Sequence, residues 1–218
     1  MKKPLLIIGN KNYSSWSLRA WLMLKHAEVD FEEMRIALQV PGYELKLSYF
    51  SPAGKVPALR DGELTVWDTL SIAEYLYESY PSLWPADKAS RAVARSISAE
   101  MHSGFTAMRR AMPMNIRARG RHVPTSPELE ADIARIKNIW RDLRTQYAAE
   151  GAWLFGEYSI ADAMFAPVAC RFLTYGVNEP GVIENYMKTV MNDPYMQEWV
   201  RASELEHEVL VNNEVGIT

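Results

Sequence analysis

The hydrophobic period of this chain changes once, across Tyr80-Pro81-Ser82-Leu83-Trp84-Pro85-Ala86-Asp87. Before that stretch, short apolar runs closed by turn residues alternate with helical stripes. After it, every strong period is helical. Two prolines in so short a span mark a linker between domains. The break predicts a mixed α/β domain over residues 1–80, a linker over 81–88 and an all-helical domain over 89–218. A chain of 218 residues is long enough for two small domains with real cores.

The first domain opens with a buried strand over 4–9, closed by Gly9. Trp16, Ala20, Leu24 and Ala27 recur at helical steps, which predicts a helix over 15–27. A second strand is expected over 31–36 and a short helix near 43–49. Pro57 to Trp67 reads as a β-hairpin turning at Asp61-Gly62. Ile72, Leu76 and Tyr80 then mark a helix over 69–79. The order is βαβ followed by ββα.

In the second domain Val93, Ile97, Met101, Phe105, Met108 and Met112 form one stripe, so a single long helix is expected, ended or kinked at Met112-Pro113. Ser126-Pro127-Glu128 caps a second long helix carrying Leu129, Ile133, Ile136, Trp140, Leu143 and Tyr147. Ser159-Ile160-Ala161-Asp162 opens a third, and Asn192-Asp193-Pro194 the last clear one. Such a set makes a helical bundle.

Three stretches of the first domain can carry chemistry. Asn12 to Ser17 brings hydroxyls to a helix start, where free N–H groups favour negative charge. Ser14 and Ser15 there are either plain caps or donors to an anion or a thiolate. Serine without a partnered base is a poor nucleophile, and no triad is visible. Val56-Pro57 is either a cis peptide exposing the Val56 backbone to an extended peptide or an ordinary edge-strand proline. Asp68-Thr69 is either an N-cap or a pair that holds the ammonium and carboxylate of an amino-acid head. Ser98, His102, Phe105 and Arg109 form a polar stripe beside the Met101 face. Arg109-Arg110, Arg117, Arg119, Arg121 and His122 read as a solvated helix end or loop, with an anionic-substrate or membrane-lipid role as the alternative.

Taken together, the order of elements and these motifs resemble a thioredoxin-fold domain followed by an all-helical domain, the architecture of a cytosolic glutathione transferase. Ser159 and Asp162 match that family's structural capping box. The resemblance covers essentially the whole chain. It implies glutathione as co-substrate, with Ser14 holding its thiolate and Ser15 or Asn12 as the next candidates. It implies that Val56, preceding Pro57, pairs with the cysteinyl backbone, that Lys55 reaches the glycyl carboxylate, and that Asp68 and Thr69 hold the γ-glutamyl head. A small electrophile is then expected among Trp16, His102, Phe105 and Arg109. The nearest motif, the zeta-type Ser-Ser-Cys-Ser-x-Arg, has cysteine where this chain has Trp16, which weighs against isomerisation of maleylacetoacetate. A homodimer is implied by the family alone; a cytoplasmic location is the default expectation for a chain with one cysteine and no leader-like start. The alternatives are a non-catalytic binding protein of the same fold, or a glutathione-dependent isomerase, dehalogenase or peroxidase.

The totals exclude other classes. A net charge of −3 gives no argument for nucleic acid or an anionic membrane. No apolar run approaches the ~20 residues of a membrane span. Met1 to Gly9 is too short in its apolar part for a secretory leader. The lone Cys170 excludes an intrachain disulfide and a cysteine-based metal cluster, and no metal is expected.

Overall fold

The computed structural model describes residues 3–216. Met1 and Lys2, part of the start read for a leader, lie outside the described residues, as do Ile217 and Thr218.

The first half contains β1 (Leu5–Ile8), α1 (Ser15–His26), β2 (Glu32–Arg35), α2 (Tyr43–Phe50), β3 (Ala58–Asp61), β4 (Leu64–Trp67) and α3 (Thr69–Ser79). The strands form one sheet in the order β2-β1-β3-β4. β1 runs parallel to β2 and antiparallel to β3, and β3 pairs antiparallel with β4. The parallel pair requires a crossover, which α1 supplies. The hairpin turns one residue later than the sequence suggests. Asp61 pairs with Leu64, so the loop is Gly62-Glu63, with Gly62 at φ +60° in the first loop position.

A short 3₁₀ turn at Pro81–Leu83 leads into α4 (Lys88–Ser103). Then come α5 (Thr106–Ala111), α6 (Pro127–Gln146), α7 (Ile160–Thr174), α8 (Val182–Asn192) and α9 (Pro194–Glu204). The expected single helix through Met112 is in fact two. It breaks at Gly104-Phe105, where Phe105 takes a left-handed backbone at φ +59°. Among the described residues no helix is long and apolar enough to cross a membrane.

α7 is the axis of the helical half. Thirteen consecutive residues, Ile160 to Phe172, are buried. A helix apolar all round must be covered on every side, and α7 packs against α1, α4 and α8. Its start is fixed by a capping box in which Asp162 accepts the Ser159 N–H at 2.9 Å and the Ser159 hydroxyl at 3.0 Å. The same carboxylate accepts the Leu154 N–H and the Tyr186 hydroxyl, both at 3.0 Å. Burial nevertheless pushes the Asp162 carboxyl up to about 6. Cys170, also on α7, is buried among apolar groups, which push its thiol up to about 12.

α1 lies between the two halves, packed on α7 and α3, and buries Leu18, Trp21, Leu22, Met23 and Leu24. Each fully buried side chain of that size contributes about 1.5–3 kcal/mol. One continuous core joins the sheet, α1 and the bundle. The N-terminus of α1 is thereby held against the helical half.

Candidate active site

Between β1 and α1 the chain makes a tight polar loop. A Cβ at Gly9 would come within 2.7 Å of Leu38 Cδ1 and 3.2 Å of the Ser14 Cβ, so the Leu38 side chain would have to shift to admit one. The Gly9 N–H donates to Ser17 Oγ at 3.0 Å. Ser14 is the N-cap of α1, and its hydroxyl donates to Ser17 Oγ at 2.7 Å. Ser14 is 8% exposed.

The loop itself is clamped from the helical half and the C-terminal tail. Glu206 accepts the N–H groups of Lys11 at 2.7 Å and Asn12 at 3.1 Å. Trp199 Nε1 donates to the Lys11 carbonyl at 2.9 Å. Asn12 donates to Asn115 Oδ1 at 2.9 Å and accepts the Arg117 N–H at 2.8 Å. Glu214 accepts the Tyr13 hydroxyl at 2.7 Å and the Asn115 amide at 2.8 Å. Asn12 is therefore wholly buried and engaged with the protein itself.

The basic run is solvated only in part: Arg110, Arg119 and His122 are exposed, while Arg109, Arg117 and Arg121 are half-buried. Arg117 donates to the Glu206 and Glu208 carbonyls, Arg119 to those of Ile116 and Ala118, and Arg121 pairs with Glu214 at 2.6 Å. The Arg117 and Arg121 guanidiniums tie the connection after α5 to the C-terminal tail, whereas Arg119 bonds only within that connection.

Beside this loop lies a cavity of about 410 Å³, within the range of small-molecule sites. Its walls bring together Trp16 from α1, Lys55, Val56 and Pro57 from the turn before β3, Asp68 and Thr69 from the start of α3, and His102 from α4. The Val56-Pro57 bond is cis. Asp68 sits at φ +71°, a backbone that side chains rarely adopt. Its Oδ1 accepts the Leu70 N–H at 2.8 Å, and its Oδ2 faces His102 Nε2 at 3.4 Å. Thr69 is 1% exposed, and its hydroxyl donates to the Trp16 carbonyl at 3.3 Å. The start of α3 and the start of α1 are thus linked directly.

The expected second-substrate residues divide. Trp16 and His102 line the cavity, with their rings edge to face at 5.1 Å. Phe105 does not, since the break after α4 turns it into the core at 6% exposure. Arg109 is not among the lining residues either; its guanidinium lies 4.7 Å from the Trp16 ring centroid and donates to the carbonyls of Gly104 and Met101. Ser14 and Ser15 are not among the groups lining the cavity. Ser15 is buried and accepts from Arg171 at 3.4 Å. A larger cavity of about 830 Å³ lies against the linker, between Trp84, Tyr147 and Phe155, and holds none of the expected site residues.

Glu206, Glu214 and Asn115 were not legible as site supports. The only signal was the polarity of the tail. Arg19, fully buried on α1 with its guanidinium 4.3 Å from the Trp16 ring, was likewise missed, although an arginine on an otherwise apolar helix was a visible anomaly.

Residues 13–79 match the N-terminal domain family of glutathione S-transferases. A probable maleylacetoacetate isomerase of Caenorhabditis elegans is 38% identical over 107 residues, 48% of this chain and 49% of the relative. The maleylacetoacetate isomerase of Rattus norvegicus is 34% identical over 108 residues, 47% and 49% of the two chains. The chain thus spans about half the length of the curated relatives it matches. A glutathione transferase homolog from Burkholderia, solved with bound glutathione, superposes with a TM-score of 0.70 at 25% identity, covering 94% of this chain and 99% of that one. Ure2p in complex with glutathione superposes with a TM-score of 0.70 over 92% and 93% of the two chains; at 17% identity it shares the fold alone.

Proposed function

We propose that the chain is a cytosolic glutathione S-transferase, a reading supported by the match over residues 13–79 and by the likeness to a solved homolog, and that it binds glutathione in the 410 Å³ cavity and directs its sulfur at a small electrophile. The observation that carries this reading is the cavity's donor set. A carboxylate and a helix N-terminus stand together at Asp68-Thr69, the pairing that suits the zwitterionic γ-glutamyl head. The Val56 backbone beside cis-Pro57 suits the extended cysteinyl part, and Lys55 the glycyl carboxylate.

Glutathione, when bound, supplies the thiol. Ser14 and the N-terminus of α1 lower that thiol's pKa by donating to the thiolate. Ser14 can do so only by turning its hydroxyl away from Ser17. His102, partly buried and facing Asp68, orients or protonates the second substrate. The domain boundaries at 81–88, a cytoplasmic location and a homodimer are part of the same proposal. Sedimentation at the mass of one 24.9 kDa chain would remove the dimer.

The relatives' names favour a second reading, glutathione-dependent isomerisation of the maleylacetoacetate type. Trp16, in place of the zeta-type cysteine, is the residue that separates this chain from that pattern. The product distinguishes the readings. A transferase consumes glutathione and forms a conjugate; an isomerase returns glutathione unchanged. Calorimetry with millimolar glutathione tests the premise common to both, and no heat of binding would instead favour a non-catalytic binding protein.

A further inference from the structure

The larger cavity, of about 830 Å³, shares no lining residue with the one assigned to glutathione. Its volume lies in the range of small-molecule sites. Five aromatic side chains line it: Tyr77 on α3, Trp84 in the linker, Tyr147 at the end of α6, and Phe155 and Tyr158 ahead of α7.

Several of these walls are held by the protein itself. Trp84 Nε1 donates to Glu74 Oε1 at 3.0 Å. The Ser90 hydroxyl donates to Asp87 Oδ2 at 2.9 Å. Its one hydrogen is spent there, so the 2.8 Å bond between Ser90 and Tyr147 is donated by the tyrosine. Trp153 and Gly156 exchange two backbone hydrogen bonds, of 3.1 and 3.0 Å, across the turn that carries Phe155. The Phe155 ring lies 5.2 Å from that of Tyr147. Walls fixed in this way are preorganised. Arg95, which does not line the cavity, stands 5.1 Å from the Tyr77 ring centroid and 5.4 Å from that of Trp84. Two of the rings thus already serve as cation acceptors.

The charge around the cavity is mostly of one sign. Asp87, Glu150 and Glu157 line it against a single cation, Arg91. Arg91 is turned to the linker backbone, where its Nη1 donates to the carbonyls of Pro85 at 2.8 Å and Ala86 at 2.6 Å. The Ser90 N–H and hydroxyl hold the Asp87 carboxyl below its ordinary value. Glu150 and Glu157 are exposed. Among the described residues neither forms an ion pair. Ring faces and carboxylates together attract a cation and repel an anion.

We propose that this cavity binds an organic cation, an alkylated ammonium carried on an apolar body. The rings receive the ammonium, and Glu150 and Glu157 supply its counter-charge. Trp84 belongs to the linker, whereas Tyr147 and Phe155 belong to the helical half, so the ligand bridges the two. None of this rests on the glutathione reading.

Benzyltrimethylammonium chloride is the probe, titrated by calorimetry into the full-length protein. Benzyl alcohol is the neutral control, sodium benzenesulfonate the anionic one, and sodium chloride at equal ionic strength the salt control. The cation should bind at least about tenfold tighter than benzyl alcohol, and benzenesulfonate should give no heat of binding. Glu150→Gln with Glu157→Gln removes two exposed charges at little change in size. It should weaken the cation about threefold to tenfold and leave benzyl alcohol unchanged. Phe155→Leu should weaken the cation at least about fivefold; where that buried variant fails to fold, the exposed carboxylate pair decides. Asp68 lines the other cavity, so Asp68→Asn should keep the cation's affinity within about twofold of wild type. A cation that binds no tighter than benzyl alcohol or benzenesulfonate would overturn the assignment. Binding lost in Asp68→Asn but kept in the Glu150→Gln, Glu157→Gln variant would move the cation to the other cavity and overturn it too. Failure of glutathione to bind would sink the functional reading and leave the cation result standing.

Discussion

Ser14 donates its hydroxyl to Ser17 Oγ across 2.7 Å, and Ser17 Oγ accepts the Gly9 N–H at 3.0 Å. The hydroxyl assigned to the thiolate is therefore also a link in the cap of α1. Ser14→Ala removes both roles. Loss of the cap should cost about 0.5–2 kcal/mol in a denaturant melt. Loss of a donor to developing charge should lower kcat/KM for glutathione conjugation about 10²–10³-fold. Ser17→Ala separates the two roles. It should cost about 1 kcal/mol while activity stays within about twofold, because Ser14 keeps its hydroxyl. An active Ser14→Ala enzyme would pass the thiolate to Ser15 or to backbone donors.

Asp68 caps α3 with one carboxylate oxygen and faces His102 with the other, at 3.4 Å. Asparagine remains a good N-cap, so Asp68→Asn preserves the helix start and removes the charge. The expected outcome is about tenfold weaker glutathione binding by calorimetry, equivalent to about 1.4 kcal/mol. Affinity within twofold of wild type would place the ammonium elsewhere.

The elements before residue 80 were legible because each is announced locally. An apolar run closed by Gly9, helical steps from Trp16 and turn residues at Asp61-Gly62 all act on their own backbone. The binding motifs share that property, since Val56-Pro57 and Asp68-Thr69 use backbone and neighbouring groups. The break after α4 was not legible, because Met101, Phe105 and Met108 keep helical spacing through it. All three remain buried although the chain turns between them. Helix α8 left a readable stripe in Ile183, Tyr186, Met187 and Val190 but no side-chain cap at Gly181 to announce it. The clamp on the loop was beyond local reading, since Lys11 and Glu206 lie 195 positions apart.

Asp162 gathers four donors at the start of α7 yet holds its proton up to about pH 6. Its folded value lies above the unfolded value near 3.8. Between those two values the folded state binds more protons than the unfolded one, so this group makes stability fall as pH rises from about 4 to about 6. Asp162→Asn should remove that slope, giving a flatter stability profile across the window in urea melts. Asp162→Ala leaves the Leu154 and Ser159 N–H groups and two hydroxyls buried without their acceptor. It should cost about 3–5 kcal/mol, a loss read in the same melts. A variant within 1 kcal/mol of wild type would mean that water replaces the carboxylate.

Glu206 tests whether the tail positions the loop that carries Ser14. Its carboxylate accepts two adjacent buried N–H groups, Lys11 at 2.7 Å and Asn12 at 3.1 Å, and lies 3.5 Å from Arg35. Each N–H left unpaired costs about 1–3 kcal/mol, so Glu206→Ala should lose about 2–5 kcal/mol. Glu206→Gln keeps one acceptor oxygen and should lose less than half as much. Hydrogen exchange should accelerate at Lys11 and Asn12 in both variants while the α7 amides stay protected. Ser14 follows Asn12 by two residues, so a loosened loop should also lower kcat with little change in glutathione affinity, because Asp68 and Val56 lie on other elements. A fall in affinity without a fall in kcat would mean that the tail supports the γ-glutamyl head and not the thiolate.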